Sequence, residues 1–139
     1  MSVIQSWQKS RTAEFSAYPG PSGTVITAKG ELDAANAGQL TEFVERALRE
    51  SRQLIVDLTG LDFIATAGFS TLHRINVACS GAGAHWVLLP GPAVHRLLAV
   101  CDPDGTLPTT ESLTEWSTVA DSQAPLSGPG LLQLVPQPR

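Results

Sequence analysis

The sequence has no basic cluster, no long apolar run and no cysteine framework, and each absence closes off a class of function. Its formal net charge is -4, and no face rich in Lys or Arg can be assembled from it. That argues against a general nucleic-acid or anionic-membrane surface. No stretch approaches the ~18 uninterrupted apolar residues of a membrane span. The first residues, Met1-Ser-Val-Ile-Gln-Ser-Trp-Gln-Lys9, lack a basic region followed by an apolar one, so no secretory signal is visible. Cys79 and Cys101 both fall on expected helices among apolar neighbours. They read as small buried side chains in a reducing compartment rather than a disulfide or metal pair. The expected setting is the cytoplasm.

Catalytic patterns are missing too. Ser70 and Ser80 lack a Gly-x-Ser-x-Gly elbow. His73, His85 and His95 are scattered without metal-ligand spacing. Gly81-Ala-Gly83 precedes an expected strand rather than opening a helix, so it is no phosphate-binding loop. No cofactor and no enzymatic activity are expected. There is no internal repeat.

What is present is an ordinary globular composition, 42% hydrophobic and 16% charged over 139 residues, which suits one domain. Residues 1–13 are polar without a clear period and read as a flexible arm. Phe15-Ser-Ala-Tyr18 and Thr24-Val-Ile-Thr-Ala-Lys29 read as strands joined by the turn signal Pro19-Gly-Pro-Ser-Gly23. Gly30-Glu-Leu-Asp33 closes that hairpin. Asp33 has the chemistry of an N-cap for a helix whose apolar positions are Leu40, Phe43, Val44, Ala47 and Leu48. Its other face carries Glu42, Glu45, Arg46, Arg49 and Glu50 and reads as solvated.

The chain is organised around residues 54–70. Leu54, Ile55, Val56 and Leu58 form a run suited to a strand buried on both faces. Thr59-Gly60 and Asp62 signal a turn, and Phe63 and Ile64 are expected to re-enter the core. Thr66 then stands where a helix should begin, ahead of Phe69, Leu72, Ile75 and Cys79. A hydroxyl at a helix start can accept a bond from an unpaired N–H. It can also carry a phosphate, which the positive end of the helix would stabilise.

Gly81-Ala-Gly83 stops that helix, and His85-Trp-Val-Leu-Leu89 reads as another strand. Pro90-Gly-Pro92 turns the chain into a third helix bearing Val94, Leu97, Leu98 and Cys101, which ends at Asp102-Pro-Asp-Gly105. Thr106-Leu-Pro108 suits only a very short edge strand. Thr110 is placed to cap a last helix with Leu113, Trp116 and Ala120, and residues 122–139 read as a flexible tail rich in Ser, Pro and Gly. The expected fold is α/β, a mixed sheet of four to five strands with about four helices packed on it.

Gly30-Glu-Leu-Asp33, followed by a helix and then Val56-Asp-Leu-Thr-Gly-Leu-Asp-Phe-Ile-Ala-Thr-Ala-Gly68, resembles the STAS domain of bacterial anti-sigma factor antagonists over residues 14–121. In that family the second segment normally reads Asp-Ser-Ser-Gly or Asp-Thr-Ser-Gly. The hydroxyl residue after the Asp is phosphorylated by the partner anti-sigma factor, a serine/threonine kinase of the histidine-kinase ATPase fold. The unphosphorylated form binds that kinase and frees the sigma factor, and phosphorylation releases it.

Carried over by position, the resemblance puts the phosphoacceptor on Thr66, the small residue on Ala67, the glycine on Gly68 and the aspartate of the family's Gly-Glu-Leu-Asp on Asp33. Ala65 stands where the family has its acidic residue, a departure that bears on phosphorylation rather than on docking. The partner surface implied is Asp33, Asp62, Ala65, Thr66, Ala67, Gly68, Phe69 and Ser70, on a monomer or weak homodimer. Two other readings keep the fold: a STAS subunit docking on the ATPase of a lipid-transport ABC complex, and a non-phosphorylated STAS signalling module. A small α/β enzyme is disfavoured, since no acid, base and nucleophile converge.

Overall fold

In the computed structural model, residues 6–9, 12–20 and 23–111 are described, with side chains from Thr12 onwards. Five strands form one sheet in chain order: β1 (Ser6–Lys9), β2 (Ala13–Tyr18), β3 (Thr24–Leu32), β4 (Gln53–Ile64) and β5 (His85–Leu89). β1, β2 and β3 pair antiparallel, and β3, β4 and β5 pair parallel. The parallel part needs crossovers, supplied by helices α1 (Ala37–Leu48) and α2 (Thr66–Gly81), while α3 (Gly91–Cys101) follows β5. Successive crossovers stepping the same way across a sheet lie on the same face.

The core bears this out. Leu54, Val56 and Leu58 of β4 join Ile26 and Ala28 of β3 and Trp86 and Leu88 of β5 in one buried cluster. Leu40, Phe43 and Val44 of α1, Leu72, Ile75 and Cys79 of α2, and Val94 and Leu98 of α3 pack into it. The alternate residues Ile55, Val87 and Leu89 form a second cluster, with Val25 against it, to which no described helix contributes. The first part of β4, Leu54, Ile55 and Val56, is therefore buried on both faces, as the apolar run implied.

The periodicity of α1 is kept: Leu40, Phe43 and Val44 are buried, Ala47 and Leu48 pack at the margin, and the charged residues lie outside. The Arg46 guanidinium, from that charged face, lies over the Phe43 ring, 4.8 Å from its centre. α2 closes with paired bonds from the Gly83 N–H to the Ser80 carbonyl and from the Ala84 N–H to the Cys79 carbonyl, with Gly83 at φ 67°. This is the helix stop that the Gly-Ala-Gly spacing implied. Trp86 is buried, and its indole N–H donates to Asn76 Oδ1 of α2 at 2.9 Å, tying β5 to that helix.

Three expectations change. Residues 6–9, expected within a flexible arm, form β1 on the outer edge of β2. Four residues are too few to show a period, and backbone pairing to an open edge needs none. The turn expected at Thr59-Gly60 is absent, for β4 runs on to Ile64 and absorbs the turn-forming residues as two irregularities against β3. At the first, Asp57 Oδ1 accepts both the N–H and the hydroxyl of Thr59, at 3.0 and 2.6 Å. The short edge strand at residues 106–108 reduces to a single parallel bridge between Leu88 and Thr109. Pro108 lacks a donor and contributes only its carbonyl, which accepts the Leu88 N–H at 2.8 Å.

Beyond α3, Asp102 gathers the chain. Its carboxylate accepts the Thr106 hydroxyl and N–H and the Leu107 N–H, and these bonds, the hydroxyl foremost, hold its pKa below the usual value. The last expected helix past Thr110 and the tail 122–139 lie outside the described residues.

The cysteines part company. Cys79 is 1% exposed, and burial pushes its thiol up to about 11, whereas Cys101 is only half-buried. Thiolate is the reactive form, so iodoacetamide at pH 8 should label Cys101 in the native protein and spare Cys79 until the chain is unfolded. Peptide mass spectrometry of native and denatured samples checks this.

Candidate functional site

The ends of β3 and β4 meet at the mouth of α2, and one hydrogen bond fixes the junction. Leu32 is the Cα partner of Ile64, and one residue on the Ala65 N–H donates to the Leu32 carbonyl at 2.8 Å. The chain segments after these two strands, Asp33 on one and Thr66 on the other, are therefore held side by side. Gly68 makes the close approach possible. A Cβ built there would stand 2.4 Å from Ile64 Cγ1 and 3.3 Å from Leu32 Cδ2, so any side chain would prise α2 off the strand ends.

Thr66 occupies the first helical position, and Ala65 occupies the cap position in extended backbone, φ -86° and ψ 170°. Alanine has no oxygen to offer, and no side-chain hydrogen bond caps α2. This corrects the placing of the hydroxyl at the cap itself. Thr66 is exposed, and the first turn of α2 carries no acidic residue. Unpaired N–H groups at a helix start favour an anion.

Asp33 is likewise not the N-cap of α1, since Asn36 stands there and the helix begins at Ala37. Asp33 shapes the turn before it: its Oδ1 accepts the Ala35 N–H at 3.0 Å and its carbonyl accepts the Asn36 and Ala37 N–H groups. The sequence reading missed Asn36. Its side chain is 2% exposed; Oδ1 accepts the Asp33 N–H at 2.9 Å, and Nδ2 donates to the Glu31 carbonyl at 2.9 Å and to Thr12 Oγ1 at 3.1 Å. A buried amide satisfied this way clamps the loop that carries Asp33. Only its place in a short polar link ahead of a helix could have hinted at this. Gly30, at φ 99°, helps from the other side: a Cβ there would meet the Thr12 carbonyl oxygen at 2.4 Å, and that carbonyl instead accepts the Glu31 N–H.

Of the other expected site residues, Asp62 and Ser70 are exposed, Ala65 and Ala67 are half-buried, and Gly68 is buried. Phe69 is half-buried and packs against the main core, so it supports the site from beneath. Phe63 reverses its expectation and is 50% exposed, while Ile64 is buried. The cause is the second irregularity of β4: Asp62 is the extra residue between Leu61, opposite Gly30, and Phe63, opposite Glu31. That insertion turns Phe63 to the sheet face away from the helices and leaves Leu61 and Ile64 on the core side.

His95 Nε2 lies 3.1 Å from Glu111 Oε2 with both side chains exposed, remote in sequence from the junction. Among the described residues no group of three or more His, Cys, Asp or Glu is arranged to hold a metal ion. No described helix is long and apolar enough to cross a membrane.

A mixed five-stranded sheet with helices on one face, with an uncapped helix mouth beside an Asp loop, defines an α/β module. The STAS domain model matches residues 13–115, and the chain belongs to the STAS domain family. It is similar to Osmosensory protein A of Mycobacterium tuberculosis, with 37% identity over 91 residues, 65% of this chain and 58% of that protein. The chain thus spans little more than half the length of that relative. It is also 33% identical over 98 residues to anti-sigma-F factor antagonist RsfA of the same species, 66% of this chain and 77% of RsfA.

Solved structures of the same fold include an anti-sigma factor antagonist from Mycobacterium paratuberculosis. Its TM-score is 0.68 at 19% identity, covering 82% of this chain and 99% of that one. Another is the antagonist SpoIIAA in its unphosphorylated form, TM-score 0.59 at 15% identity, covering 87% and 97%.

Asn36→Ala is expected to lower stability by about 1–3 kcal/mol, since the Asp33 N–H and Glu31 carbonyl lose their partner in a buried site. Urea denaturation of both proteins measures the difference.

Proposed function

We propose that this chain is an anti-sigma factor antagonist that regulates transcription by partner switching, without chemistry of its own. Its partner is an anti-sigma factor, a serine/threonine kinase of the histidine-kinase ATPase fold, met in the cytoplasm. Docking uses residues 62–66, the start of α2 and the Asp33 loop. The observation that carries this reading is the exposed Thr66 at the first position of α2, locked beside Asp33 by the Ala65–Leu32 bond. The likeness to RsfA, itself an anti-sigma-F factor antagonist, supports the choice of partner.

Phosphorylation of Thr66 is the switch in this reading. A phosphate brings nearly two negative charges and considerable bulk to a surface that must be stripped of water on docking. In the free protein the uncapped start of α2 stabilises that charge. The two states thus differ in the stability of the complex, not in the fold. Ala65 favours one variant of this reading, in which docking operates without phosphate. No carboxylate immediately precedes the acceptor in the chain to orient the hydroxyl or the kinase.

Affinity purification with the chain as bait should recover an anti-sigma factor; recovery of an ABC ATPase in its place would move the protein to the lipid-transport reading. With the purified partner and ATP, intact mass should rise by one phosphate in the wild type and not in Thr66→Ala. Binding without any mass gain would identify the non-phosphorylated variant. Thr66→Glu should weaken the complex more than tenfold, about 1.4 kcal/mol. Wild-type affinity in Thr66→Glu would take Thr66 out of the interface.

A further inference from the structure

Phe63 is one of three large apolar side chains left exposed among the described residues, with Val77 on α2 and Val100 on α3. It differs from the other two in its surroundings. Glu31 is its Cα partner across β3, Asp62 precedes it in the chain, and both are exposed. Lys29, opposite Gly60, is the basic residue on this stretch of β3, and Asp33 lies just past the strand end. The ring is therefore flanked mainly by carboxylates.

The strand that carries it is also open. β4 pairs with β5 only as far as Asp57, so among the described residues no strand lies along the β5 side of Phe63; the start of α3 meets β4 earlier, where Gly91 packs against Thr59. A half-exposed aromatic ring held on a strand has few rotamers to lose on burial, and aromatic side chains, Phe among them, are enriched at interface cores.

We propose that Phe63 is the apolar anchor by which this chain docks on its anti-sigma factor, entering a partner pocket whose rim carries Arg or Lys. The charge of the rim follows from Glu31 and Asp62, which would be left unpaired against any acidic surround. This rests on the functional reading above and adds to it a second contact, distinct from the hydroxyl. Phe63 faces away from the helices, whereas Thr66 opens α2 on the helix side of the junction. The docking face straddles the ends of β3 and β4, and a change at one residue leaves the other's contact in place. The carboxylates on the Phe63 side steer a basic partner, and phosphate on the Thr66 side opposes the closest approach.

The test uses the purified anti-sigma factor recovered with the wild-type chain and isothermal titration calorimetry at 50 and 300 mM salt. Phe63→Ala should bind at least about thirtyfold more weakly, and Val100→Ala, which removes an apolar side chain that is 80% exposed, should bind within twofold of wild type. The double variant Glu31→Gln, Asp62→Asn should weaken binding at 50 mM salt and flatten its salt dependence. Glu31 and Asp62 are exposed and Phe63 is half-exposed, so all variants should fold, and thermal melts separate lost contact from lost fold.

If wild type binds the anti-sigma factor and Phe63→Ala binds within threefold of it, the anchor is refuted while the functional reading stands. An unchanged salt slope in the double variant refutes the basic rim. If Phe63→Ala leaves partner affinity alone and abolishes a dimer seen by sedimentation, the ring serves a second copy of the chain and the proposal fails. A wild-type chain that binds no anti-sigma factor overturns both readings together.

Discussion

The bond from the Ala65 N–H to the Leu32 carbonyl is a small contact on which the geometry of the site turns. It extends the parallel pairing of β3 and β4 by one residue beyond Leu32 and Ile64, at the point where one strand becomes a loop and the other a helix. Everything that gives the end of the sheet its character is referred to it. Asp33 is set on one side by the Asn36 clamp, and Thr66 on the other by the extended backbone of Ala65. The tolerance is small, because Gly68 already brings α2 to within contact of Ile64 and Leu32 with no atom to spare. A helix seated this tightly cannot be rotated to hide Thr66 without losing the buried contacts of Leu72 and Ile75 below it.

That rigidity suits a surface read by another protein. A docking face whose parts are fixed in advance loses little entropy on association, so its contacts appear as affinity. It also suits a switch that works by chemical addition. If the strand ends could rearrange, a phosphate would be accommodated by local movement. Held in place, it must instead be borne by the interface, as charge and volume.

The sequence made the core and its period legible. Every apolar position assigned to α1 and α2 is buried or packed against the core, because amphipathic spacing reports burial directly. The helix mouth at Thr66 was legible to within one residue. What stayed hidden were features that arise between segments. Gly60 and Asp62 carry turn chemistry, yet β3 runs alongside and offers hydrogen bonds to both sides of the interruption. The chain therefore bulges and continues instead of turning. A shift of one residue in a strand reverses its faces, so the second of these bulges, at Asp62, put Phe63 outside. Asn36 was hidden for a related reason: its side-chain partners include Thr12, Glu31 and Asp33, and no local window contains them all.

Ala65 connects these points to mechanism. In the family pattern a carboxylate stands there, at the cap position of α2, where a side-chain oxygen would satisfy an N–H of the first turn and place negative charge beside the acceptor. Alanine does neither. The consequence for the free protein is a helix mouth with more unsatisfied donors and less negative charge, which is a better seat for an anion. The consequence for a kinase is the reverse, because an acidic neighbour that could orient the hydroxyl is missing. Under the proposed phosphorylation of Thr66, the substitution shifts the site towards holding a phosphate well and acquiring it slowly. In a partner switch, that combination lengthens the time spent in whichever state the chain occupies, and leaves the contact surface itself to set the affinity.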